Sequence, residues 1–387
     1  MTTYQGTVFD GFGTVVGHGL EVDGGQLARV IPARADAPST DIIIPGLIDI
    51  HCHGGGGVSF PDTTDPTQIR KAITAHQRGG TTAMFASLVS MADPLPQIRA
   101  LVPFCEDGSL LGIHLEGPYI SVEKKGAQNP AAIRGIDLSE LQEWLTAGQR
   151  WIKTITIAPE NVSEEAIRLL LSHRCRPSWG HTNCTGTQAR AALNTTMKVA
   201  RELGISAVPQ TVTHLFNAMP PIGHRTPGPV REFLAGATKG QVDVEIIADG
   251  HHIHPDLVED LFRALGPAHL FFVTDALAAA GLGDGHYVLG GLKVEVRDGA
   301  CYLEGTDQLS GGASCLIKQV QLFARRGAIP FADIVRATVS TPHRAGGGPL
   351  QAPGVTINYV VGQAPSFLVL SPDYQLKQVV RCGAELL

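Results

Sequence analysis

Residues 45–54 read PGLIDIHCHG, a short apolar run that ends in two histidines. On an extended strand, side chains two positions apart point to the same face, so His51 and His53 can reach one metal ion together. Glycines follow at positions 54–57, and their lack of a side chain lets the backbone pass close to a crowded site. A His-x-His pair alone could be an ordinary polar strand end. The glycines favour a metal-binding pair at the carboxyl end of a buried strand.

The same arrangement recurs through the middle of the chain, where short apolar runs lead into polar residues of chemical interest. The runs predicted as strands are Leu47–Ile50, Thr82–Leu88, Leu110–Leu115, Ile155–Ala158, Arg176–Trp179, Val212–Thr213, Val244–Ala248 and Phe271–Thr274. Helix-like segments separate several of them, namely Ser163–His173, Thr187–Leu203 and Asp256–Leu265. Strands that alternate with helices form a parallel sheet. Eight such units in roughly 300 residues predict an α/β fold of the (β/α)₈ TIM-barrel type, with its active site at the carboxyl ends of the strands.

The two ends of the chain have a different pattern. Residues 1–40 are rich in turns and strand-like, and further strands are predicted at Val355–Val361, Phe367–Leu370 and Leu376–Val380. We expect both ends to pair in a small β-sandwich domain beside the barrel. The predicted division assigns residues 45–345 to the barrel, and residues 1–44 and 346–387 to the two parts of the small β-domain.

Composition narrows the classes of partner. The 387 residues carry a formal net charge of −6, from 30 basic and 36 acidic side chains. This balance does not favour nucleic acid or an anionic membrane as a partner, and an anionic substrate would need a local cluster of cations.

The seven cysteines are scattered without a Cys-x-x-Cys pair, and the first residues lack the features of a secretory signal. We therefore expect reduced thiols in a cytoplasmic protein.

Polar residues end four more of the predicted strands: Glu116, His181, His214 and Asp275. Alone, each histidine would more often be structural, Glu116 would be a surface glutamate, and Asp275 would be the N-cap of a helix. Their recurrence at equivalent points of successive β/α units predicts that they meet the first histidine pair around a metal. Histidine and carboxylate ligands without a thiolate suit Zn²⁺, or Fe²⁺ or Mn²⁺.

Asp275 has a further predicted role in amide hydrolysis. Such a reaction needs a group that takes a proton from the attacking water and passes it to the leaving nitrogen, and a carboxylate beside a metal can do both. Competing chemistries lack their motifs, because the chain contains no G-x-x-x-x-G-K-[ST], no G-x-S-x-G and no H-E-x-x-H.

Together the motifs resemble those of the N-acetylglucosamine-6-phosphate deacetylases in the amidohydrolase superfamily. The matching stretches are 45–54 (PGLIDIHCHG), 114–118 (HLEGP), 180–182 (GHT), 213–219 (THLFNAM), 248–250 (ADG) with His252, and 273–276 (VTDA) followed by Gly281. They run in family order across most of the chain, and THLFNAM is highly specific. The resemblance implies a barrel with a small β-domain, a homodimer, and the release of acetate and glucosamine 6-phosphate.

The resemblance also assigns roles to residues of this chain. It implies a main metal site of Glu116, His181 and His214, and a second site from the histidine pair, with Glu116 bridging and Asp275 as the general base and acid. We expect one or two divalent metals per subunit, with zinc first and iron or manganese as alternatives. The residues implied in substrate binding are Ala127, Gln128, Asn217, Ala218, His252, Leu309, Ser310 and Gly311, together with Arg225 reaching the neighbouring active site.

At Gln128 the chain departs from the family, which usually has a histidine there near the acetyl carbonyl. Glutamine can donate a hydrogen bond but carries no charge, so oxyanion stabilisation would rest more on the metal. The alternatives are deacetylation of N-acetylgalactosamine 6-phosphate or another N-acetyl sugar, another amidohydrolase reaction such as cyclic-amide hydrolysis, and a non-catalytic sugar-phosphate-binding protein. Retention of every suspected ligand argues against the last.

Overall fold

A computed structural model describes residues 1–32, 41–348 and 352–387 of the chain. The strands of this part are β1 (Thr2–Phe9), β2 (Val15–Asp23), β3 (Gln26–Ile31), β4 (Ile42–Pro45), β5 (Leu47–Asp49), β6 (Gly54–Gly55), β7 (Val58–Ser59), β8 (Thr81–Leu88), β9 (Gly112–Glu116), β10 (Ile152–Ile157), β11 (Arg176–Trp179), β12 (Thr211–Val212), β13 (Asp243–Ile247), β14 (Leu270–Val273), β15 (Gly285–Leu289), β16 (Leu292–Arg297), β17 (Ala300–Leu303), β18 (Phe367–Leu370), β19 (Leu376–Arg381) and β20 (Ala384–Glu385). The helices are α1 (Pro66–Arg78), α2 (Leu95–Glu106), α3 (Leu138–Ala147), α4 (Glu164–Ser172), α5 (Gly186–Glu202), α6 (Gly228–Ala237), α7 (Pro255–Leu265), α8 (Ile317–Arg326), α9 (Phe331–Thr338) and α10 (Ser340–Ala345).

Eight parallel strands form the barrel, in the order β5, β8, β9, β10, β11, β12, β13, β14. Each strand pairs with the next one in this order, which is the topology of a (β/α)₈ barrel. Every residue of β8, β9 and β10 is buried, as expected for parallel strands that are covered on both faces. The predicted barrel is therefore confirmed, and its predicted strand ends differ from the observed ones by at most three residues.

The first and last barrel strands, β5 and β14, are linked near their carboxyl ends by specific hydrogen bonds. The Asp49 carboxylate accepts from the hydroxyl of Thr274 and from the main-chain N–H groups of Thr274 and His51. One residue further along, Asp275 donates its N–H to the carbonyl of His51 over 2.9 Å. These contacts bring the first histidine pair and Asp275 to one side of the closed barrel, although 225 positions separate Asp49 from Thr274.

Five of the helices between the barrel strands, α1, α3, α4, α5 and α7, begin at residues whose side chains cap them. At the start of α5, the Thr185 hydroxyl accepts from the Gln188 N–H, and the Gln188 side chain accepts from the Thr185 N–H, which makes a capping box. Ser163 caps α4 by accepting from the N–H of Ala166. The three predicted helices are confirmed with their ends shifted by one residue or less. Among the described residues, no helix is both long and apolar enough to cross a lipid bilayer.

Strands from both ends of the chain form one seven-stranded sheet, in the order β20, β19, β18, β4, β1, β2, β3. The C-terminal β18 pairs with β4, which in turn pairs with the N-terminal β1. Tyr4 and Phe367 pack edge to face with ring centroids 4.8 Å apart, inside an apolar cluster that also holds Leu20 and Val380. The expected pairing of the two ends is thereby confirmed, while the division at 44/45 and 345/346 stays a prediction.

One predicted strand, Val355–Val361, is wrong, because this segment forms turns and irregular structure. Single hydrogen bonds tie it to its neighbours, such as the bond from the Gly11 N–H to the carbonyl of Ile357. Ile357 is buried, whereas Val360 and Val361 are exposed. The apolar residues of this segment therefore mark an irregular stretch of which one side is buried, and the stretch does not pair with a strand.

A three-stranded antiparallel sheet, β15–β17, has no counterpart among the predicted strands. It follows the last barrel strand and lies beside the barrel mouth. The Asp62 carboxylate holds its first turn by accepting from the N–H groups of Gly290 and Gly291, each over 2.8 Å. The sheet thereby contributes Leu289 to the cavity described below.

Replacing Asp49 with alanine is expected to destabilise the barrel. The change leaves the N–H groups of Thr274 and His51 unpaired and leaves the Thr274 hydroxyl only a 3.4 Å bond to the carbonyl of His51. Each buried donor without a partner costs about 1–3 kcal/mol. We expect the free energy of unfolding in urea to fall by roughly 3–5 kcal/mol. The control is Asp307→Ala, because the Asp307 side chain is 99% exposed. Equal stability of the two variants would show that Asp49 does not link the first and last strands.

Candidate active site

Six side chains converge at the carboxyl ends of the barrel strands: His51, His53, Glu116, His181, His214 and Asp275. Glu116 is the last residue of β9, and the others follow β5, β11, β12 and β14 by two to four residues. Each of the six is buried, with at most 8% of its surface exposed. The structure therefore brings together all the residues that the sequence predicts as metal ligands.

The Glu116 carboxylate lies at the centre of this cluster. Its Oε1 is 3.0 Å from Nε2 of His181, 2.9 Å from Nε2 of His214 and 3.6 Å from Nε2 of His51. Its Oε2 is 3.3 Å from Nε2 of His53. One carboxylate thus faces all four imidazoles through the same ring nitrogen of each.

The ligand atoms form two groups that share Glu116. In one group, Nε2 atoms of His51 and His53 lie 3.2 Å apart, and Oδ1 of Asp275 lies 3.3 Å and 3.2 Å from them. In the other group, the Nε2 atoms of His181 and His214 lie 3.0 Å apart. Nitrogen and carboxylate donors aimed at common points are the donor set that Zn²⁺ and similar cations bind. The residues present therefore fit one divalent cation, or two with Glu116 between them.

Backbone conformation aims three of these side chains inward. His181, His214 and Asp275 have φ values of 49°, 26° and 50°, in the left-handed region that residues other than glycine rarely adopt. All three lie two residues beyond the end of a strand. Such conformations persist where the surroundings hold them and are concentrated at functional sites.

The outer ring nitrogens of three histidines have hydrogen-bond acceptors. Nδ1 of His53 donates to the carbonyl of Ser87 over 3.2 Å, and Nδ1 of His181 donates to the carbonyl of Lys124 over 2.8 Å. Nδ1 of His51 donates to Oε2 of Glu245 over 2.9 Å. Such partners set the tautomer and orientation of a metal-binding imidazole. The sequence analysis missed Glu245, which appears in the sequence only as an acidic residue within the apolar run Val244–Ala248.

Beneath the cluster, the barrel interior contains a continuous set of neutral hydrogen bonds. His114 bonds to the Ser87 hydroxyl over 3.0 Å and to the Thr156 hydroxyl over 2.8 Å. The Thr156 hydroxyl also bonds to that of Thr213, which bonds to Ser178. Burial strongly lowers the pKa of His114, and the neighbouring His51 lowers it further. His114 is therefore a neutral histidine of the barrel interior, with both ring nitrogens hydrogen-bonded.

Neighbouring carboxylates raise the pKa values of His51 and His53. Burial lowers the pKa of His51, but Asp275, Glu245 and Glu116 outweigh this effect and raise it to about 9. Burial also lowers the pKa of His53, while Asp275 and Glu116 together raise it to about 10. A protonated imidazole cannot bind a metal, so a cation must compete with protons for both rings.

All members of the cluster except His51 line the floor of a cavity of about 270 Å³. Eight of the nine predicted substrate-binding residues line it: Ala127, Gln128, Asn217, Ala218, His252, Leu309, Ser310 and Gly311. The sequence analysis missed Lys124, Glu123 and Gln308, which also line the cavity. Glu123 and Lys124 lie in a short 3-10 helix, Val122–Lys124, and Gln308 lies in a loop. At such connecting segments, sequence pattern alone does not separate a lining residue from a solvated one.

Arg225 is the predicted substrate residue that the structure does not bring to the cavity of its own chain. It is exposed in the loop before α6, and the cavity lining does not include it. Its expected contact with a neighbouring active site therefore stays a prediction.

Gln128 contacts Glu116 directly. Its Nε2 donates to Oε2 of Glu116 over 2.8 Å, while its Oε1 accepts from the N–H of Ser90 over 2.8 Å. The Ser90 hydroxyl donates to the same oxygen. In this position the glutamine orients the central carboxylate as well as lining the cavity.

On another side of the cavity, His252 is held by a carboxylate. Nδ1 of His252 lies 2.8 Å from Oδ2 of Asp249, whose Oδ1 accepts the main-chain N–H of His252. Burial lowers the pKa of His252, but Asp249 outweighs it and raises the pKa. Asp249 thus favours the protonated form of His252, and both His252 and Lys124 can face an anionic part of a ligand.

The profile of the amidohydrolase family matches residues 42–345, which include all six residues of the cluster. The chain belongs to the amidohydrolase family. The match also spans every strand of the barrel.

Three relatives of this amidohydrolase are informative. The N-acetylglucosamine-6-phosphate deacetylase of Vibrio furnissii is 30% identical over 348 residues, which are 87% of this chain and 80% of the relative. The N-acetylgalactosamine-6-phosphate deacetylase of Escherichia coli O157:H7 is 32% identical over 297 residues, which are 73% of each. One similar solved structure is that of a mutant N-acetyl-D-glucosamine-6-phosphate deacetylase from Mycobacterium smegmatis in complex with N-acetyl-D-glucosamine-6-phosphate. Its TM-score to this chain is 0.87 and its sequence identity is 30%, and the match covers 100% of this chain and 99% of that one.

Binding of a divalent cation to the chelator-treated amidohydrolase is expected to release protons. The raised pKa values of His51 and His53, about 9 and about 10, are above pH 7. At pH 7 both rings therefore hold protons that binding of the cation must remove. We expect a release of roughly one to two protons per cation at this pair, decreasing as the pH rises above 9.

Calorimetric titration with Zn²⁺ at pH 7 in two buffers with different ionisation enthalpies measures this release. Binding enthalpies that agree between the buffers would contradict the expectation. The same titration at pH 9 should show a smaller difference between the buffers, because fewer protons remain to be displaced.

Proposed function

We propose that this amidohydrolase hydrolyses the acetamide bond of N-acetyl-D-glucosamine 6-phosphate and releases acetate and D-glucosamine 6-phosphate in amino-sugar catabolism. The observation that carries the proposal is the placement of Asp275 beside the histidine–glutamate cluster, at the floor of a cavity whose walls hold cationic groups. Deacetylases of N-acetylated amino-sugar phosphates among the relatives support the choice of substrate.

The cluster would hold one or two divalent cations per subunit, and zinc is the cation that we propose. Glu116, His181 and His214 would hold one, and His51 and His53 would hold a second with Glu116 shared between them. A cation bound there supplies Lewis-acid chemistry, because it makes water more acidic and polarises a carbonyl oxygen.

Asp275 is the group that we assign to proton transfer. Burial raises the pKa of Asp275, but His51 and His53 outweigh burial and lower it below its usual value. The carboxylate is therefore ionised near neutral pH and can accept a proton at Oδ1 from the attacking water. As the carbon–nitrogen bond breaks, the same oxygen can return that proton to the departing amine.

The phosphate would be bound on the opposite side of the cavity. His252 and Lys124 provide positive charge from the same chain, and charge-assisted hydrogen bonds to a phosphate are among the stronger polar contacts. Asn217 and the main chain at Ala218 would provide further donors. We also propose that the protein is a cytoplasmic homodimer in which Arg225 reaches the neighbouring cavity.

A second candidate substrate is N-acetylgalactosamine 6-phosphate. It is favoured by the name of the relative from Escherichia coli O157:H7, which is 32% identical to this chain. The two sugars differ in the orientation of one hydroxyl group, so both would present the same acetamide and the same phosphate to the cavity.

Acetate release from three sugars tests the proposal. We expect turnover of N-acetylglucosamine 6-phosphate, and at least about 100-fold lower kcat/KM for N-acetylglucosamine, because the phosphate contacts are lost. Treatment with a chelator should abolish turnover, and added Zn²⁺ should restore it. Faster turnover of N-acetylgalactosamine 6-phosphate would favour the second candidate. If neither sugar phosphate releases acetate, the proposed function is rejected.

Replacement of Asp275 by asparagine is expected to lower kcat by about 10²–10⁴-fold, the range of general acid–base catalysis. Elemental analysis should find the cation content unchanged, because the imidazoles and Glu116 remain. The control is Asp307→Asn, at a fully exposed position outside the cavity. A wild-type kcat in the Asp275→Asn variant would refute the proton-transfer role.

A further inference from the structure

Glu245 lies where a carboxylate is costly. All residues of β13, which spans Asp243–Ile247, are buried, and the Glu245 side chain is 2% exposed. Within the described part of the chain, its ion-pair partner is His51, and neither lysine nor arginine pairs with it. Removing an ion from water without full compensation costs several kcal/mol. The presence of a carboxylate at this buried position therefore needs an explanation other than packing.

A single oxygen of Glu245 contacts both halves of the metal cluster. Its Oε2 is 2.9 Å from Nδ1 of His51 and 3.3 Å from the main-chain N of His214. Because a carboxylate only accepts, Nδ1 of His51 carries the hydrogen. In the neutral ring, this leaves Nε2 of His51 free to donate its lone pair toward the side where Glu116 and Asp275 lie.

The other histidines of the cluster do not share this arrangement. His53 and His181 donate from Nδ1 to neutral main-chain carbonyls, which are weaker acceptors than a carboxylate. His214 has no hydrogen-bond partner at Nδ1 within the described residues. It is held instead through its backbone, which has a φ of 26° and donates its N–H to Glu245.

Packing of the barrel interior does not require a charge at this position. The neighbouring interior positions are satisfied by neutral groups, as the hydrogen bonds among His114, Thr156 and Thr213 show. A glutamine could accept the same hydrogen bonds as Glu245 without the cost of a buried charge. Compared with glutamine, the carboxylate accepts a stronger hydrogen bond from Nδ1 of His51. This stronger bond makes Nε2 of His51 a better electron donor to a cation.

We infer that Glu245 is a positioning residue of the metal site. It sets the tautomer and strengthens the donor atom of His51, and it holds the strained backbone of His214, so that one ligand of each group is oriented by the same carboxylate. This inference rests on the metal site of the proposed function and does not depend on the sugar that the enzyme accepts.

Glu245→Gln is the decisive variant, because it keeps the shape and an accepting oxygen while it removes the charge. We expect one class of Zn²⁺ site to bind about 10–100-fold more weakly, the effect typical for loss of such a partner. Competition with a chromophoric chelator, on protein freed of cations, measures this affinity. Glu245→Ala, which also removes the acceptor for His214, should weaken binding further.

A matched control is Glu232→Gln. Glu232 is likewise a buried glutamate, 5% exposed, but it lies on α6 and pairs with Arg190 over 2.7 Å, away from the cavity. Its Zn²⁺ affinity should equal that of the wild type. In the proton NMR spectrum, the Nδ1 hydrogen of His51 should resonate far downfield and move upfield in Glu245→Gln but not in Glu232→Gln.

Zn²⁺ affinities within twofold of the wild type in Glu245→Gln would overturn the inference, whatever the activity of the variant. The isosteric variant keeps the test valid even if Glu245→Ala fails to fold. Weaker Zn²⁺ binding in Glu245→Gln, together with a wild-type protein that releases no acetate from any sugar phosphate, would support the inference and reject only the proposed function.

Discussion

The Glu116 carboxylate lies between two pairs of imidazoles that converge in the buried floor of the cavity. Its Oε1 faces His181 and His214, and its Oε2 faces His53. Buried ions are tolerated only when they are paired and hydrogen-bonded. Without Glu116, the convergence of these rings would be unfavourable, and with it they form a set of donors suited to a cation. Most local features of the barrel mouth, including the left-handed backbone at three strand ends, serve to keep this group together.

The layer of the barrel interior beneath the cluster is polar. Neutral hydrogen bonds run through Ser87, His114, Thr156 and Thr213. TIM barrels usually fill their interior with branched apolar side chains. Here the layer under the cluster consists instead of groups whose hydrogen bonds have fixed partners, and such a satisfied network holds its members more rigidly than apolar contacts do. A rigid support of this kind suits a site whose donor atoms must stay a few ångströms apart.

Much of the fold and the site could be predicted from the sequence, because the relevant signals are local. An apolar run followed by a histidine or an acid marks both a strand and its chemically active end, as at Glu116 and Asp275. Glu245 could not be found in this way, since a single glutamate within a strand looks the same whether it faces solvent or a metal ligand. The error at Val355–Val361 has a similar cause: alternation records which side is buried and not whether a partner strand is present. Lys124 and Asp249 act through contacts that only the folded chain creates.

The linkage between the first and last barrel strands also affects how the protein matures. His51 and Asp275 come within 3.3 Å of each other, yet the ribosome makes one near the beginning of the barrel and the other near its end. Domains fold as units during synthesis, with N-terminal parts emerging first, and contacts between distant positions form slowly. The four imidazoles and Glu116 are therefore all synthesised before β14 and Asp275. Closure of the barrel by β14 consequently adds the carboxylate assigned to proton transfer as the last member of the cluster.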